Sequence, residues 1–374
     1  MIAEKKSTIR FITTMVYIML FWLLLFYVLT TFRNFLSPIA LGILFAYLLY
    51  PIASFLEKKG AHRIFANLAA IFVGIFVLYT IVFFLYRELR SLMNDLPTLE
   101  MQALKNMNQA INEVTSFFSS SAEYKETNVK ELISELFSRS GENMGKFLGA
   151  TAQTFFTIFI MPVYIFFLLY YRNKYFYFIL MLIPPKSHPI AEKTIREISQ
   201  VIRQYMTGVS KVVLILIVLN SLGLFIIGVK YALLMGIIAA LCNFIPYFGT
   251  IIGYFFPLAM ALFTGDGPQQ AVGVVILFII IQFTENNILT PNITGGEVKV
   301  NPFFIILGVL IGGFVWGVPG MFIVVPVMAA ARITFENIPE LMPWAYLISD
   351  AGTERHALSL YKFKRYFSKF TKSK

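Results

Sequence analysis

The chain has 374 residues, of which 58% are hydrophobic, 16% aromatic and only 14% charged. Soluble globular domains are about half apolar and about a quarter charged, so this composition excludes an ordinary soluble domain and indicates a polytopic membrane protein. Basic residues outnumber acidic ones by 31 to 20, but they lie between the apolar runs and at the two ends of the chain. Cytoplasmic loops of membrane proteins show this pattern, so we expect membrane lipid and no nucleic acid as a partner.

The first part of the chain predicts three membrane spans, at residues 11–31, 35–56 and 64–86. Each is an apolar run of about 20 residues, the length that crosses a hydrocarbon core of about 30 Å. The first run is longer than a signal-peptide core and is not followed by a small-residue cleavage site, so we interpret it as a retained span. The loop at residues 57–63 is basic and is predicted to be cytoplasmic. We interpret residues 1–86 as an N-terminal scaffold.

Residues 87–146 form a polar stretch with seven basic and nine acidic residues, a net charge of −2 that favours the external side. Apolar residues at spacings of 3, 4, 3 and 4 predict an amphipathic helix within it. They are Leu104, Met107, Ile111, Val114 and Phe118. Two arrangements stay open for this region: helices that lie on the membrane or on each other, and a subunit contact or external cap.

A fourth span is predicted at residues 147–171. Residues 172–211 contain seven basic and two acidic residues, which indicates the cytoplasmic side. Between residues 192 and 206, apolar side chains share one helical face and charged ones the opposite face, as in a helix that lies along the inner leaflet. Packing of this face against the helix bundle is the alternative. We group residues 147–208 as span four with this interfacial helix.

Two long apolar stretches in the C-terminal half are each broken near the middle. Residues 231–264 are broken at Asn243-Phe-Ile-Pro-Tyr-Phe-Gly249, and residues 302–335 at Gly317-Val-Pro-Gly320. Proline lacks a backbone donor and glycine adopts left-handed conformations, so both positions interrupt a helix. The pieces are about 13–17 residues, or roughly 20–25 Å, shorter than a hydrocarbon core of about 30 Å. Each stretch is therefore predicted to turn back as a re-entrant hairpin, and full crossing by the halves would instead give eight to ten spans.

A further span precedes each broken stretch, at residues 212–227 and 271–288, and the loop charges give these two spans opposite directions. Span and hairpin thus occur twice in opposite orientation, an inverted-topology repeat typical of transporters. The predicted fold is an all-α polytopic membrane protein with six full spans and two re-entrant hairpins. We expect residues 209–336 to be the transport unit and residues 337–374 a basic tail, with both termini cytoplasmic and the protein in the bacterial cell membrane.

Polar side chains within these apolar stretches are the candidate functional residues. At membrane depth they are costly unless they face a cavity or one another. Glu285 is the leading candidate to bind a proton or cation, with solvation near the inner interface as its alternative. For Asn243, the alternative to a pathway role is capping of a tight turn. The candidate pathway residues are Asn243, Pro246, Gly249, Gln282, Glu285, Asn286, Asn287, Pro291, Asn292, Gly295 and Gly320.

Enzyme and metal-site motifs are absent from the sequence. It contains no His-Glu-x-x-His, no Gly-x-Ser-x-Gly and no Cys-x-x-Cys, and its histidines, His62, His188 and His356, are far apart. We therefore expect no catalysis, no cofactor and no metal site. A transporter, an ion channel and a non-transporting membrane scaffold remain as classes of function.

The residues around the two breaks resemble those of a known family. The segment from Asn243 to Gly253 resembles the Asn-x-Ile-Pro-Tyr-x-Gly signature of the autoinducer-2 exporter family, and the segment from Glu285 to Gly295 resembles its second signature. Further residues are similar to the closing glycine-rich helix pair of that family: Gly312, Gly313, Gly317, Gly320 and Pro326. Tyr171 departs from the pattern, since many members carry an acid there.

This resemblance implies a bacterial membrane transporter that works by alternating access. It would either export a small polar solute, such as the quorum-sensing furanone, or exchange Na⁺ for H⁺. The resemblance also implies a homo-oligomer, with five subunits as the expected number, in which a mobile element moves against an oligomeric scaffold.

Overall fold

The computed structural model describes residues 2–118, 135, 152–265, 268–294 and 298–351, with backbone only at residues 2–11, 110–118, 152–158 and 268. These residues are helical apart from short connections and contain no strand. The helices in chain order are α1 (Ile2–Thr31), α2 (Arg33–Lys58), α3 (Arg63–Phe118), α4 (Ala152–Tyr170), α5 (Arg172–Met181), α6 (His188–Ile227), α7 (Ala232–Cys242), α8 (Phe248–Thr264), α9 (Pro268–Thr284), α10 (Thr290–Thr294), α11 (Pro302–Trp316), α12 (Val318–Glu336) and α13 (Met342–Ile348). A π-helical turn, Glu285–Leu289, joins α9 to α10, and single 3₁₀ turns lie at Pro185–Ser187 and Pro339–Leu341.

Six helical segments in the described part of the chain are long and apolar enough to cross a membrane. They are Ile12–Thr31, Arg33–Lys58, Arg63–Gln109, Pro185–Ile227, Gln269–Thr294 and Val318–Glu336. The predicted all-α polytopic membrane fold is therefore confirmed. Five of the six contain spans predicted from sequence, whereas the sixth is one arm of the second broken stretch. The predicted fourth span corresponds to α4, in which the shorter segment Phe159–Tyr170 is apolar.

Helix α3 is longer than the sequence indicated. The third span was predicted to end at residue 86, but the helix continues without a break to Phe118. Its extension buries Leu92, Leu99 and Ala103, and Leu92 and Leu99 join a core formed mainly by α6–α9. Of the predicted stripe, Leu104 and Met107 are half-buried on this extension. The rest of the predicted external region, residues 119–134 and 136–146, lies outside the described residues.

Helix α6 has 40 residues and contains both the predicted interfacial helix and the predicted span at residues 212–227. Ile202 and Met206, on the apolar face of the first part, are buried in a cluster with Leu44 and Ile323. This face therefore packs against α2 and α12. Packing within the bundle, the alternative to an interfacial helix, is what the structure shows, because protein side chains cover the apolar face.

Both broken stretches form antiparallel helix pairs. Hairpin 1 consists of α7 and α8, and hairpin 2 of α11 and α12. In hairpin 1, Gly253 lies against the backbone of Ala239, while Gly249, nearer the tip, lies against Cys242. In hairpin 2, Gly320 lies against the backbone of Gly312. The predicted breaks are confirmed as the points where the chain reverses direction.

Helices α1 and α3 hold the two hairpins at different places. The side-chain amide of Asn106 on α3 donates to the carbonyl oxygens of Phe263 and Gly265, at 3.1 and 2.8 Å, and so pairs carbonyls at the C-terminal end of hairpin 1. Near the tip of hairpin 2, the indole N–H of Trp316 donates to the carbonyl oxygen of Leu29 on α1 at 2.9 Å. Each hairpin is thus attached to the N-terminal helices by a side chain that binds backbone oxygen.

Replacing Gly320 with alanine is expected to destabilise the protein, because the added Cβ would lie 1.9 Å from the carbonyl oxygen of Gly312. The two backbones must then separate, and overpacking of this kind typically costs about 1–3 kcal/mol. The check is the melting temperature of the purified protein in detergent, which should fall. Gly273→Ala is the matched control, since its Cβ would meet only the flexible side chain of Ile227, at 3.3 Å. Equal melting temperatures for Gly320→Ala and the parent protein would contradict this packing of hairpin 2.

Candidate functional site

Polar side chains from hairpin 1 and from the segment after it meet in one cluster. The side-chain amide of Asn243, at the end of α7, donates to the Glu285 carboxylate. The amide of Gln282 donates to the other carboxylate oxygen of Glu285 at 3.5 Å and to Asn286 Oδ1 at 3.1 Å. The hydroxyl of Tyr254 on α8 donates to Gln282 Oε1 at 2.9 Å. We call Asn243, Tyr254, Gln282, Glu285 and Asn286 the Glu285 cluster.

Glu285 is buried, with 8% of its surface exposed. The alternative considered for it, a merely solvated carboxylate near the membrane surface, does not match this burial. Among the described residues, no ion pair includes Glu285. A buried carboxylate without a positive partner is unfavourable in its charged form. Its surroundings therefore favour the uptake of a proton or another cation.

The π-helical turn Glu285–Leu289 positions the carboxylate and opens the helix locally. Such turns are rare and occur frequently at functional sites, because the wider turn leaves some helical hydrogen bonds unmade. The side-chain amide of Asn287 donates to the carbonyl oxygen of Phe283 at 2.8 Å, and the hydroxyl of Thr284 donates to that of Ile280 at 2.8 Å. Side chains just before and just after Glu285 thus donate hydrogen bonds to backbone carbonyl oxygens of the preceding turn.

At the tip of hairpin 1 the backbone provides its own hydrogen bonds. The N–H of Gly249 donates to the carbonyl oxygen of Ile245 at 2.8 Å, and that of Phe248 to Pro246 at 2.7 Å. Gly249 is required at its position, since a Cβ there would lie 1.9 Å from the carbonyl oxygen of Cys242. Asn243 is the C-cap residue of α7, but its side-chain amide donates to Glu285 rather than to the backbone of the turn.

Tyr254 was not among the pathway residues predicted from the sequence. Its ring stacks on Phe278 of α9, with the ring centroids 3.9 Å apart, and its hydroxyl reaches Gln282. The signal available in the sequence was a tyrosine hydroxyl within an apolar segment. A tyrosine in such a segment is more often an aromatic packing residue, so its position against α9 was needed to identify it.

Several predicted pathway residues lie away from the cluster. Asn287, Pro291 and Asn292 are exposed, and the side-chain amide of Asn292 binds the carbonyl oxygen of Ile288 at 2.7 Å. Gly320 packs inside hairpin 2, which touches hairpin 1 where the rings of Phe244 and Phe322 meet edge to face, 5.3 Å between centroids. The predicted residue Gly295 lies outside the described residues. The structure therefore assembles only part of the predicted set.

Comparison with known proteins shows the family to which this chain belongs. A family model described as "AI-2E family transporter" matches residues 14–340. The chain belongs to this family. The resemblance seen around Asn243 and Glu285 is thereby confirmed, and AI-2E family membership makes the chain a multi-pass membrane protein of the transporter or permease class.

Three relatives are similar to this chain along most of their length. The Bacillus subtilis protein named "Putative transport protein YueF" is 26% identical over 90% of this chain and 95% of its own. A second Bacillus subtilis relative, "Putative transport protein YrrI", is 26% identical over 84% of this chain and 87% of its own. The Escherichia coli K12 protein "Putative permease PerM" is 23% identical over 83% of this chain and 89% of its own.

Replacing Tyr254 with phenylalanine is expected to weaken the Glu285 cluster, because Gln282 Oε1 would lose its donor while the ring could still stack on Phe278. Loss of a hydrogen bond to a partly buried group costs about 1 kcal/mol or more. The melting temperature of the purified protein should therefore fall. Tyr247→Phe is the control, since Tyr247 is 47% exposed on the same hairpin. Equal effects of the two variants would show that the Tyr254 hydroxyl does not support the cluster.

Proposed function

We propose that the Glu285 cluster is the transport site of a secondary transporter and that Glu285 binds H⁺ and Na⁺ in alternation. The observation that carries this proposal is the burial of Glu285 among uncharged polar partners. One buried carboxylate takes one positive charge to become neutral. A proton and a sodium ion therefore compete for the same position, and this competition is the basis of exchange.

The chemistry of the surrounding groups fits this role. Hard cations prefer oxygen ligands, and the cluster contains carboxylate, amide carbonyl and hydroxyl oxygens. In the described residues, three or more His, Cys, Asp or Glu side chains do not meet in any group that could hold a metal ion. A single carboxylate with neutral partners suits a monovalent cation that binds and leaves.

Export of a small polar solute is the second candidate function, and one feature of the cluster favours it. Asn243, Gln282 and Asn286 supply amide N–H groups and Tyr254 supplies a hydroxyl, so the cluster can also donate hydrogen bonds to a neutral solute. In that case Glu285 would accept a hydrogen bond from the solute. The two candidates differ in whether Glu285 must carry charge.

Hairpin 1 is the better candidate for a mobile re-entrant element. Helix α7 has 11 residues and α8 has 17, or roughly 16 and 25 Å, both shorter than a hydrocarbon core of about 30 Å. Hairpin 2 differs, since α12 is long enough to cross. We propose that hairpin 1 moves with α6, α9 and the extension of α3 that it binds, against a homo-oligomeric scaffold of the other N-terminal helices, in the cell membrane and with cytoplasmic termini. Alternating access of the cluster would follow from this movement.

Glu285→Gln is expected to abolish Na⁺-driven proton movement, because the amide cannot bind or release a proton at this position. The measurement is a Na⁺ pulse applied to proteoliposomes that contain a pH-sensing dye. Glu192→Gln is the matched control, since this half-exposed carboxylate forms a surface ion pair with Arg196 at 2.7 Å. Sodium-evoked proton movement that persists in Glu285→Gln would refute the exchange mechanism. Absence of such movement in the folded parent protein would favour solute export.

A cross-link between positions 244 and 322 is expected to stop transport, because it joins the tip of hairpin 1 to hairpin 2 where their rings now touch. The experiment uses cysteines at both positions in a Cys242→Ser background and a reducible bifunctional reagent. Transport in the proteoliposome assay should fall with the cross-linked fraction and return after reduction. Each single-cysteine variant, treated in the same way, is the control. Ion flux that continues undiminished through fully cross-linked protein would indicate a channel.

A further inference from the structure

A basic cavity lies at the end of the N-terminal helices, where the α2–α3 loop meets the junction of α4 and α5. Its volume is about 370 Å³. It is lined by His62, Arg63, Tyr170, Tyr171, Asn173 and Lys174, none of which belongs to the Glu285 cluster. We infer that this cavity binds the phosphate group of an anionic phospholipid.

The charge of the cavity is positive. Its described lining contains Arg63 and Lys174, together with a histidine, and no acidic residue. The acidic residue at the end of α2, Glu57, uses both carboxylate oxygens to accept hydrogen bonds from the guanidinium of Arg172. Because Arg172 already neutralises this carboxylate, the positive charges of Arg63 and Lys174 are left for an anion.

Arg63 is held in position beside the cavity. One terminal nitrogen of its guanidinium donates to the carbonyl oxygen of Leu169 at 3.1 Å, which holds the side chain against the end of α4. Its Nε is buried and therefore faces the protein rather than the cavity. Phosphate oxygens match the planar guanidinium well, so a bound phosphate would meet the part of this group that lines the cavity.

Two lining residues belong to the start of a helix. Asn173 and Lys174 line the cavity from the first turn of α5, a helix of 10 residues. This position places the ammonium group of Lys174 on the same cavity as the guanidinium of Arg63.

The surroundings of the cavity select a lipid over a soluble phosphate. Exposed aromatic and apolar side chains lie on α5 and beside the loop, with exposed fractions of 70% at Phe65, 58% at Phe178 and 80% at Met181. Aromatic residues at this density are typical of a membrane interface, and basic pockets between membrane helices on the cytoplasmic side bind anionic headgroups. The loop at residues 57–63 is predicted to be on that side. Acyl chains of a lipid held at the cavity would cover the apolar surface.

The test measures which lipid occupies this position in the full-length protein. A Phe65→Trp substitution places a fluorophore beside His62, whose ring centroid lies 6.4 Å from that of Phe65. The protein is reconstituted in phosphatidylcholine vesicles, into which dibrominated phosphatidylglycerol or dibrominated phosphatidylcholine is titrated. Quenching of the parent protein is subtracted. We expect brominated phosphatidylglycerol to quench the introduced tryptophan at a lower mole fraction than brominated phosphatidylcholine.

Two charge variants in the Phe65→Trp background decide whether the cavity causes the preference. Lys174→Gln should reduce the preference for phosphatidylglycerol by about fivefold, the usual effect of one cation near an anionic membrane. Lys186→Gln is the matched control, an exposed lysine on the same predicted side that does not line the cavity, and it should leave the preference unchanged. Equal quenching by the two lipids, or an undiminished preference in Lys174→Gln, would overturn the inference. Loss of the preference on addition of inorganic phosphate, at matched ionic strength, would assign the cavity to a soluble phosphate compound and overturn the lipid assignment.

Discussion

A helix that ends within a bilayer leaves backbone N–H and C=O groups without partners, and hydrocarbon cannot supply them. Hairpin 1, which we propose to be re-entrant, would meet this constraint in a turn of a few residues. Gly249 and Phe248 bind carbonyl oxygens of the tip itself, and the glycine lets α8 approach the end of α7 closely enough for the turn to close. Because these groups need no further partner, the side chain of Asn243 is available to reach across to Glu285.

The two hairpins are held by the N-terminal helices at separate places and touch each other through aromatic rings. Asn106 on the extension of α3 binds the end of hairpin 1, and Trp316 attaches hairpin 2 to α1. The contact between Phe244 and Phe322 is apolar and, unlike a hydrogen bond, does not require one particular orientation. This contact lacks the close backbone approach at glycine that joins the two arms within each hairpin. The structure thus combines closely packed hairpins with an apolar contact between them, an arrangement that fits the movement we propose.

Two buried or half-buried carboxylates show opposite solutions to the cost of burying charge. Glu57 forms a two-pronged ion pair with Arg172, whose guanidinium also lies over the ring of Tyr50 at 5.0 Å. Glu285 has only neutral partners in the described residues. A carboxylate in an ion pair already has its positive partner. A buried carboxylate with only neutral partners has none and can bind either a proton or another cation. This difference is why we propose transport chemistry at Glu285 and not at Glu57.

The sequence by itself determined the membrane fold, the two breaks and the family. These follow from apolar length, from proline and glycine, and from the residues between Asn243 and Gly253, all of which are local properties of the chain. Glu285, Asn243, Gln282 and Asn286 were also identified from their polarity in an apolar setting. The spacing of apolar residues, however, predicts which side chains share a face only where the helix is regular. It could not foresee the π-helical turn at residue 285, which leaves Glu285 buried and Asn287 exposed.

Tertiary structure decided the remaining features. The partnership of Tyr254 with Gln282 depends on how α8 packs against α9, and the continuation of α3 depends on the apolar surface that hairpin 1 offers to Leu99. Likewise, Ile202 and Met206 could have faced lipid or protein, and only the presence of α2 and α12 beside them settled which. Contacts between elements far apart in the chain depend on the shapes of both partners, which the local pattern of either one does not contain.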